Sequence, residues 1–521
     1  MSAQTQPSSA AEKSLWPEAL PPRLAAVAVA SMLFAGGCNF APHYSRPALP
    51  TPPAYKELQG AGSVWQPARP SAAPLRGGWW RVFHDAELNA LEVRAAAANL
   101  TIAAAANNFF AARALSRQAR SQFYPSLTTA PAVVNTRPSP AQFAGLQRSG
   151  TGSGFSVRSF TSYTLPFDAS WEPDLWGRVR NEAGANAYNA QSSYADLAAA
   201  RLSVAAELAV DYLQLRGQDS LQDLLDLTVA ANRQVLRLTQ NLYHSGMASD
   251  EAVAQAQAQL RTTEAQATNV GIQRDQYEHA IAVLVGLAPA AFSLPALPLR
   301  AAPPSIPAGV PSQLLERRPD IAAAERSVGM ANAQIGVAKS AWFPNLLLNA
   351  AGGFGNASFV DWLTWPSRFW SVGPTLAETL FDAGLRRATT EQYRAIYGQT
   401  VANYRQTVLT AFQQVEDNLA ALRLLAQSTG QQDDAVAAAS RGYREAYVRY
   451  RSGLDPYLNV LTAQTALLNA RQQALSLRVQ QMVSSVQLIK ALGGGWKVSQ
   501  MPTPSALRSA RVTAYSAHSP R

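Results

Sequence analysis

The chain has 521 residues, 47% of them hydrophobic, which is ample for several buried cores. Charged residues are only 15% and the mean hydropathy is −0.10, which sets aside both a charge-rich disordered chain and a helical transporter. The formal charge of +10 is spread too thinly for nucleic-acid binding. Residues 1–37 are neutral, residues 497–521 carry Lys497, Arg508, Arg511 and Arg521 without an acid, and no block of five like charges occurs between them.

In chain order, the first feature is an apolar run from Leu24 to Phe34, followed by Ala35-Gly36-Gly37-Cys38. Eleven residues are too few to span a bilayer but suit a signal-peptide core. Small residues before a solitary cysteine resemble a bacterial lipobox, so Cys38 is the expected lipidation site. An ordinary signal peptide with a chance cysteine is the alternative. Cys38 has no second cysteine to pair with, and the five histidines are scattered without an HExxH pair, so no metal site is expected. No cofactor is expected either. From Pro42 to Pro74 the chain is proline-rich and reads as an extended leader.

Four stretches of about ten residues follow the pattern of strands. Residues 126–135, 160–169, 345–354 and 369–378 are nearly uncharged, rich in Thr, Val, Ser, Leu and aromatics, and joined by Gly/Ser/Pro loops. Asp168 and Glu378 stand at the inner ends. The length is that of a transmembrane β-strand. The second hairpin's loop holds Trp362, Trp365, Phe369 and Trp370, as expected at a bilayer interface. Pro131, Pro166 and Pro374 argue against regular strands, and soluble hairpins fit the same texture. If the strands span a membrane, four cannot close a barrel, since about eight are needed, so several copies must share one.

Between the strand regions lie two long stretches without proline, Pro173 to Pro289 and Pro374 to Pro456. They are filled with Ala, Leu, Gln, Glu and Arg, all good helix formers. Leu221, Thr228, Val235 and Leu242 recur every seven residues, as do Leu224, Ala231 and Leu238, which is coiled-coil spacing. A helix from about Gly177 to Ser245 would be roughly 100 Å long. The two stretches also repeat one another. Tyr243-His-Ser245-Gly246 matches Tyr450-Arg-Ser452-Gly453 at an offset of 207, and Ile102 to Ala105 matches Ile321 to Ala324 at 219. An offset that changes within one loop indicates duplication.

The segments GGWWRVFHDAELNAL at 77–91, FDASWEPDLWGRVR at 167–180, LLERRPDIAAAE at 314–325 and YRSGLDPYLNVLTAQTALL at 450–468 resemble the TolC/OprM-like family of outer-membrane efflux lipoproteins. The resemblance covers roughly residues 38–496. It implies a mainly α chain with membrane β: three protomers form a twelve-stranded barrel, four strands each, continued by a long α-helical periplasmic tunnel. It implies the passive exit duct of a tripartite efflux pump, with a periplasmic adaptor and an inner-membrane pump as partners, in the outer membrane and lipid-anchored. Drug, metal and type I secretion systems all remain open as the pump served. A coiled-coil scaffold lipoprotein is the non-channel alternative, and an enzyme is not expected, because no nucleophile-base pair, phosphate loop or metal cluster is evident. The division expected is a signal peptide at 1–37, leader at 38–76, repeats at 77–300 and 301–496, and a disordered basic tail at 497–521.

Two turns are the candidate sites. At Ser245-Gly246, Gly ends one helix and Ser249 starts the next; at Ser452-Gly453, Asp455 is the expected N-cap with Pro456 at the first helical position. Capping alone explains these residue types. The resemblance implies in addition that Tyr243, Ser245, Gly246, Tyr450, Ser452, Gly453 and Asp455 form a periplasmic tip that touches the adaptor, and that Leu458, Thr462 and Thr465 line the tunnel constriction. Thr462 and Thr465 stand where the family often carries Asp and Arg, so a charged lock is not expected here.

Overall fold

The computed structural model describes residues 39–58, 78–139, 158–304, 306 and 311–508; Cys38 and the apolar run before it lie outside that set. Three pairs of helices repeat at equal length, with α1 outside them. α1 is Ala86–Ala98 and α2 is Leu100–Ser121. α3, Arg178–His244, is 67 residues and about 100 Å long, and α4 is Asp250–Leu284. α5, Pro319–Ser340, copies α2 at 219 residues' distance; α6, Leu385–Arg451, and α7, Tyr457–Ala491, copy α3 and α4 at 207. No described helix is long and apolar enough to cross a membrane.

Short-range chemistry sets the helix ends. The Asp85 carboxylate accepts from the Leu88 N–H at 3.0 Å to start α1. Asn99 alone separates α1 from α2: its Oδ1 accepts from the Ile102 N–H, and its Nδ2 donates to the Leu284 carbonyl at the end of α4.

The chain forms two compact units. The described part of the smaller one comprises residues 39–41, 121–139, 158–181 and 336–390. It holds an antiparallel sheet of β1 (Ser126–Thr129), β2 (Ala132–Thr136), β3 (Phe160–Trp171), β4 (Asn345–Asn356) and β5 (Arg368–Ala377). The order is β1-β3-β4-β5, with β2 also on β3. The stretch expected as one strand at 126–135 is therefore split, because Pro131 interrupts it between β1 and β2. Pro166 survives inside β3 for a related reason. Its carbonyl accepts from the Thr129 hydroxyl, so its ring nitrogen also faces the break, where no ladder bond is lost. On the other side it pairs with Gly353, where a Cβ would come 2.1 Å from the Leu165 carbonyl oxygen. Phe40 stacks on Phe343 at 4.2 Å and Phe343 on Trp176 at 5.0 Å, and the Trp176 indole donates to the Pro344 carbonyl. Asp174 caps the backbone of Val179 and Arg180 before α3, and Asp382 does the same for Gly384 and Arg386 before α6.

The described part of the larger unit comprises residues 42–58, 78–120, 182–304, 306, 311–335 and 391–508. Its core gathers Leu208, Tyr212, Ile281, Ile321, Tyr404, Val415, Val486 and Ile489, with Tyr55 of the leader. Residues 42–55 have no helix or strand and Lys56–Leu58 form one 3-10 turn, yet the segment is held: the Lys56 and Glu57 N–H groups donate to the Glu416 carboxylate, and Glu57 pairs with Arg423. Asp219, only 2% exposed at its side chain, accepts from Arg216 and Arg274 and from the Leu297 N–H, which fixes the connection after α4. Arg318 of the ERRPD segment pairs with Asp320 and donates to Gln414 and the Ala491 carbonyl, so this motif staples α5, α6 and α7. The tail expected to be disordered from 497 is corrected over its first part: Gln191 donates to the Pro502 carbonyl, and Leu507 is buried with Ala112 and Ala190. The apolar side chain outweighs the basic composition there. Residues 509–521 lie outside the described set.

Candidate functional site

Both predicted turns lie between long helices, and both close in the same way. Gly246, at φ +74°, donates to the Tyr243 carbonyl while Met247 donates to that of Leu242. Gly453, also at +74°, donates to Tyr450 while Leu454 donates to Arg449. These paired bonds satisfy carbonyls that a helix end otherwise leaves open, and the left-handed residue at their centre favours glycine. No side chain lies within contact of a Cβ built at either glycine, so the conformation rather than crowding selects it. Ser245 Oγ donates to the carbonyls of Asn241 and Leu242, and Ser249 caps α4 by accepting from the Ala252 N–H.

Asp455 is not the N-cap that the sequence suggested. The N-cap of α7 is Pro456, in extended conformation, and no side chain caps it. Asp455 instead pairs with Arg449, whose Nε lies 2.7 Å away. The turn folds this arginine back across the glycine, and the hydrogen bond from Arg449 holds the Asp455 carboxyl below the usual carboxylate range. Ser452 is exposed, and its backbone N–H donates to the Val448 carbonyl.

The two copies of the repeat are used differently. Tyr243 is 44% exposed, whereas its counterpart Tyr450 is 5% exposed and donates to the Thr239 hydroxyl at 2.9 Å. Gln257 is exposed, whereas its counterpart Gln464 is buried and donates to the Asn232 side-chain oxygen. Asn232 in turn donates to Thr263. Buried hydrogen bonds thus tie α3 and α4 of the first repeat to α6 and α7 of the second, amid Val235, Ala256, Tyr457 and Val460. Sequence reasoning missed these partners. The signal available was a polar side chain, Asn232 or Thr239, on the buried face of a heptad-like helix.

Leu458, Thr462 and Thr465 fall on one exposed face of α7, at spacings of four and three, opposite the buried Tyr457, Val460, Gln464 and Leu468. The Thr462 hydroxyl donates to the Leu458 carbonyl within its own helix. No charge stands among the three.

The sheet of the smaller unit is a second, separate candidate surface. Residues paired across strands share a face, and the registers separate two sets of side chains. Leu127, Leu165, Phe167, Trp171, Leu348, Val372 and Leu376 lie on one face. Thr128, Asp168, Ser170, Asn349, Ser371 and Thr375 lie on the other, where Ser170 donates to Asn349 and Asn349 to Thr375. An apolar face backed by a polar one is the pattern of a barrel with lipid outside and water inside. Phe369 and Trp370, counted both with the loop and in the strand expected at 369–378, belong to β5; the loop keeps Phe359 and Trp362, packed against Tyr163, and Trp365 beneath Arg368 at 3.9 Å.

A family described as outer membrane efflux protein matches residues 91–287 and 310–494. The toluene efflux pump outer membrane protein TtgF of Pseudomonas putida is 32% identical over 488 residues, covering 91% of this chain and 98% of that protein. Outer membrane protein OprJ of Pseudomonas aeruginosa is 31% identical over 479 residues, with 91% and 97% covered. Among solved structures, the outer-membrane channel OprN superposes with a TM-score of 0.79 at 27% identity, over 88% of this chain and all of that one. The mainly helical fold with a membrane sheet and an internal duplication is theirs. The chain belongs to the outer membrane efflux protein family and is the outer-membrane channel of an efflux system.

Proposed function

We propose that three copies of this chain close a twelve-stranded barrel and that the assembly is the passive exit duct of a tripartite pump. The observation that carries the reading is the two-faced sheet. One protomer presents an apolar face and leaves open edges at β1/β2 and β5, and open edges are not tolerated in hydrocarbon. Pairing the β5 edge of one copy with the β1/β2 edge of the next removes every edge. The helical repeats, proposed as 77–300 and 301–496, then stand in the periplasm, with the Gly246 and Gly453 turns as the tip that meets a periplasmic adaptor. An inner-membrane pump supplies the energy. Relatives named for toluene, solvent and antibiotic efflux support small organic molecules as cargo.

Residues 1–37 are proposed as a lipoprotein signal peptide, and Cys38 as the lipid-bearing first residue of the mature chain, with 38–76 as the leader. Cysteines placed singly at Tyr243 or Leu454 test the tip. In cells they should cross-link to the adaptor, while the same substitution at exposed Leu100 should not. An equal yield at all three positions would refute the assignment.

A further inference from the structure

The duplicated chain makes the same join twice and covers it only once. Each repeat enters its strands by a turn after a helix, at 121–125 after α2 and at 340–344 after α5. Each leaves them by a junction before a long helix, at 172–177 before α3 and at 378–384 before α6. All four segments belong to the smaller unit. β3 and β4 are neighbours in the sheet, with Trp171 opposite Leu348, so the junction that leaves β3 meets the turn that enters β4. Trp176 of that junction stacks on Phe343 of that turn and donates to the Pro344 carbonyl, and both rings are half-buried.

The second join has no such cover within one chain. The turn at 121–125 enters β1 and the junction at 378–384 leaves β5, and these strands stand at the two ends of the sheet order. Tyr124, which takes the place of Phe343 at the offset of 219, is 74% exposed, although the Phe123 carbonyl beside it accepts from the Trp171 indole. Leu380 and Phe381 are 92% and 87% exposed, the barest large apolar side chains among the described residues. They sit on a fixed loop. Arg386 pairs with Glu378 before them and with Asp382 after them, and Ala383 takes φ +50°, a left-handed conformation unfavourable for any residue but glycine. Single exposed apolar side chains are ordinary, but an adjacent pair this bare, held beside an unpaired strand edge, marks a contact surface. Lipid is a poor occupant, because the charged Glu378, Asp382 and Arg386 flank the pair.

We propose that Leu380 and Phe381 of one copy pack against Tyr124 of the next, so that the join made within the chain by Trp176 and Phe343 is repeated between chains. The inference rests on the shared barrel proposed above, in which the β5 edge of one copy pairs with the β1/β2 edge of the next. Antiparallel pairing there sets the end of β5 beside the start of the next β1, as the end of β3 lies beside the start of β4. The junction and the turn then meet, and the Tyr124 ring covers the two apolar side chains and is covered by them.

The test starts from the full-length Cys38→Ser protein, which lacks the chain's single cysteine, purified in detergent. Tyr124→Cys and Phe381→Cys are introduced together, and the protein is treated with bismaleimidoethane, a short thiol cross-linker. Denaturing gels should show dimer and trimer bands, because each bridge joins two copies. The ladder should be lost with either cysteine alone. It should also be lost when Tyr124→Cys is combined with Phe359→Cys, an exposed position in the loop between β4 and β5 at the other end of the sheet. Light scattering of the untreated parent gives its oligomeric state independently. A trimeric parent whose Tyr124/Phe381 pair cross-links no better than the Phe359 control, the result expected if lipid or detergent covers the loop, would overturn the contact and leave the shared barrel standing. A monomeric parent would overturn both. If Phe381→Cys blocks assembly, Leu380→Cys with Tyr124→Cys decides by the same reading.

Discussion

Glu92, on the buried face of α1 with Leu88, Leu91 and Ala95, makes the stability of the helical unit depend on pH in a direction that can be worked out. Burial raises its carboxyl to about 9 in the folded chain, against about 4.3 in an unfolded one. Below the ordinary carboxylate range both states are protonated and the group has no pH effect. Between that range and pH 9 the unfolded chain releases the proton and the folded chain does not, so stability falls as pH rises, by about 1.4 kcal/mol per pH unit. The accumulated loss is about 4 kcal/mol at pH 7 and approaches about 6 kcal/mol near pH 9, as upper values for a group that local relaxation can partly hydrate. Glu92→Gln removes the titration and keeps the shape. Denaturant melts followed by circular dichroism at pH 5, 7 and 8.5 should show wild type losing ground to the variant at each step. Curves that stay parallel across that range would mean that Glu92 is hydrated, and the reasoning from burial would fail.

Other perturbations address the turns and the helices. Gly453→Pro should impair efflux without preventing insertion, because proline is fixed near −65° where the chain needs +74°; normal drug accumulation by the variant would refute this. Thr462→Asp would place carboxylates on the exposed face of α7. If that face lines a narrow axis, reversal potentials under a salt gradient should turn cation-selective, and selectivity should fade as pH drops through the carboxylate range. Gly493→Ala should cost several kcal/mol in the same denaturant assay, since φ is +92° and a Cβ would lie 2.0 Å from the Arg317 carbonyl oxygen. Cys38→Ser should abolish metabolic palmitate labelling while leaving partial efflux, and a wild type that takes up no label would remove the lipoprotein reading.

Features set by local chemistry were legible before the structure. Absence of proline marked the stretches that hold α3 and α6, because a single interior proline would have broken either one, and the helix expected from Gly177 to Ser245 matches α3 to within a residue at each end. Gly246 and Gly453 were legible as helix ends for the same kind of reason. The heptad positions were less informative. Val235 is buried, yet Leu221 and Leu224 are only half-buried, and the packed stripe runs instead through Leu225, Val229, Asn232 and Thr239. The seven-residue spacing holds at Leu225, Asn232 and Thr239, one position along from Leu224, Ala231 and Leu238. Asp455 misled because a capping pattern cannot show that Arg449 reaches the same carboxylate from six residues upstream. The links from Tyr450 to Thr239 and from Gln464 to Asn232 join residues more than two hundred positions apart, and nothing local announces them. Glu92 shows the same limit. One charged residue in an alanine-rich amphipathic stretch reads as surface until its neighbours are in place.

The claim that this chain builds a conducting duct is tested most directly by adding the purified full-length protein to a planar lipid bilayer and recording current. Discrete, repeatable conductance steps that appear with insertion are predicted. Protein that inserts, as judged by its recovery from the bilayer-forming lipid in vesicle flotation, yet carries no ion current at any voltage would contradict the account.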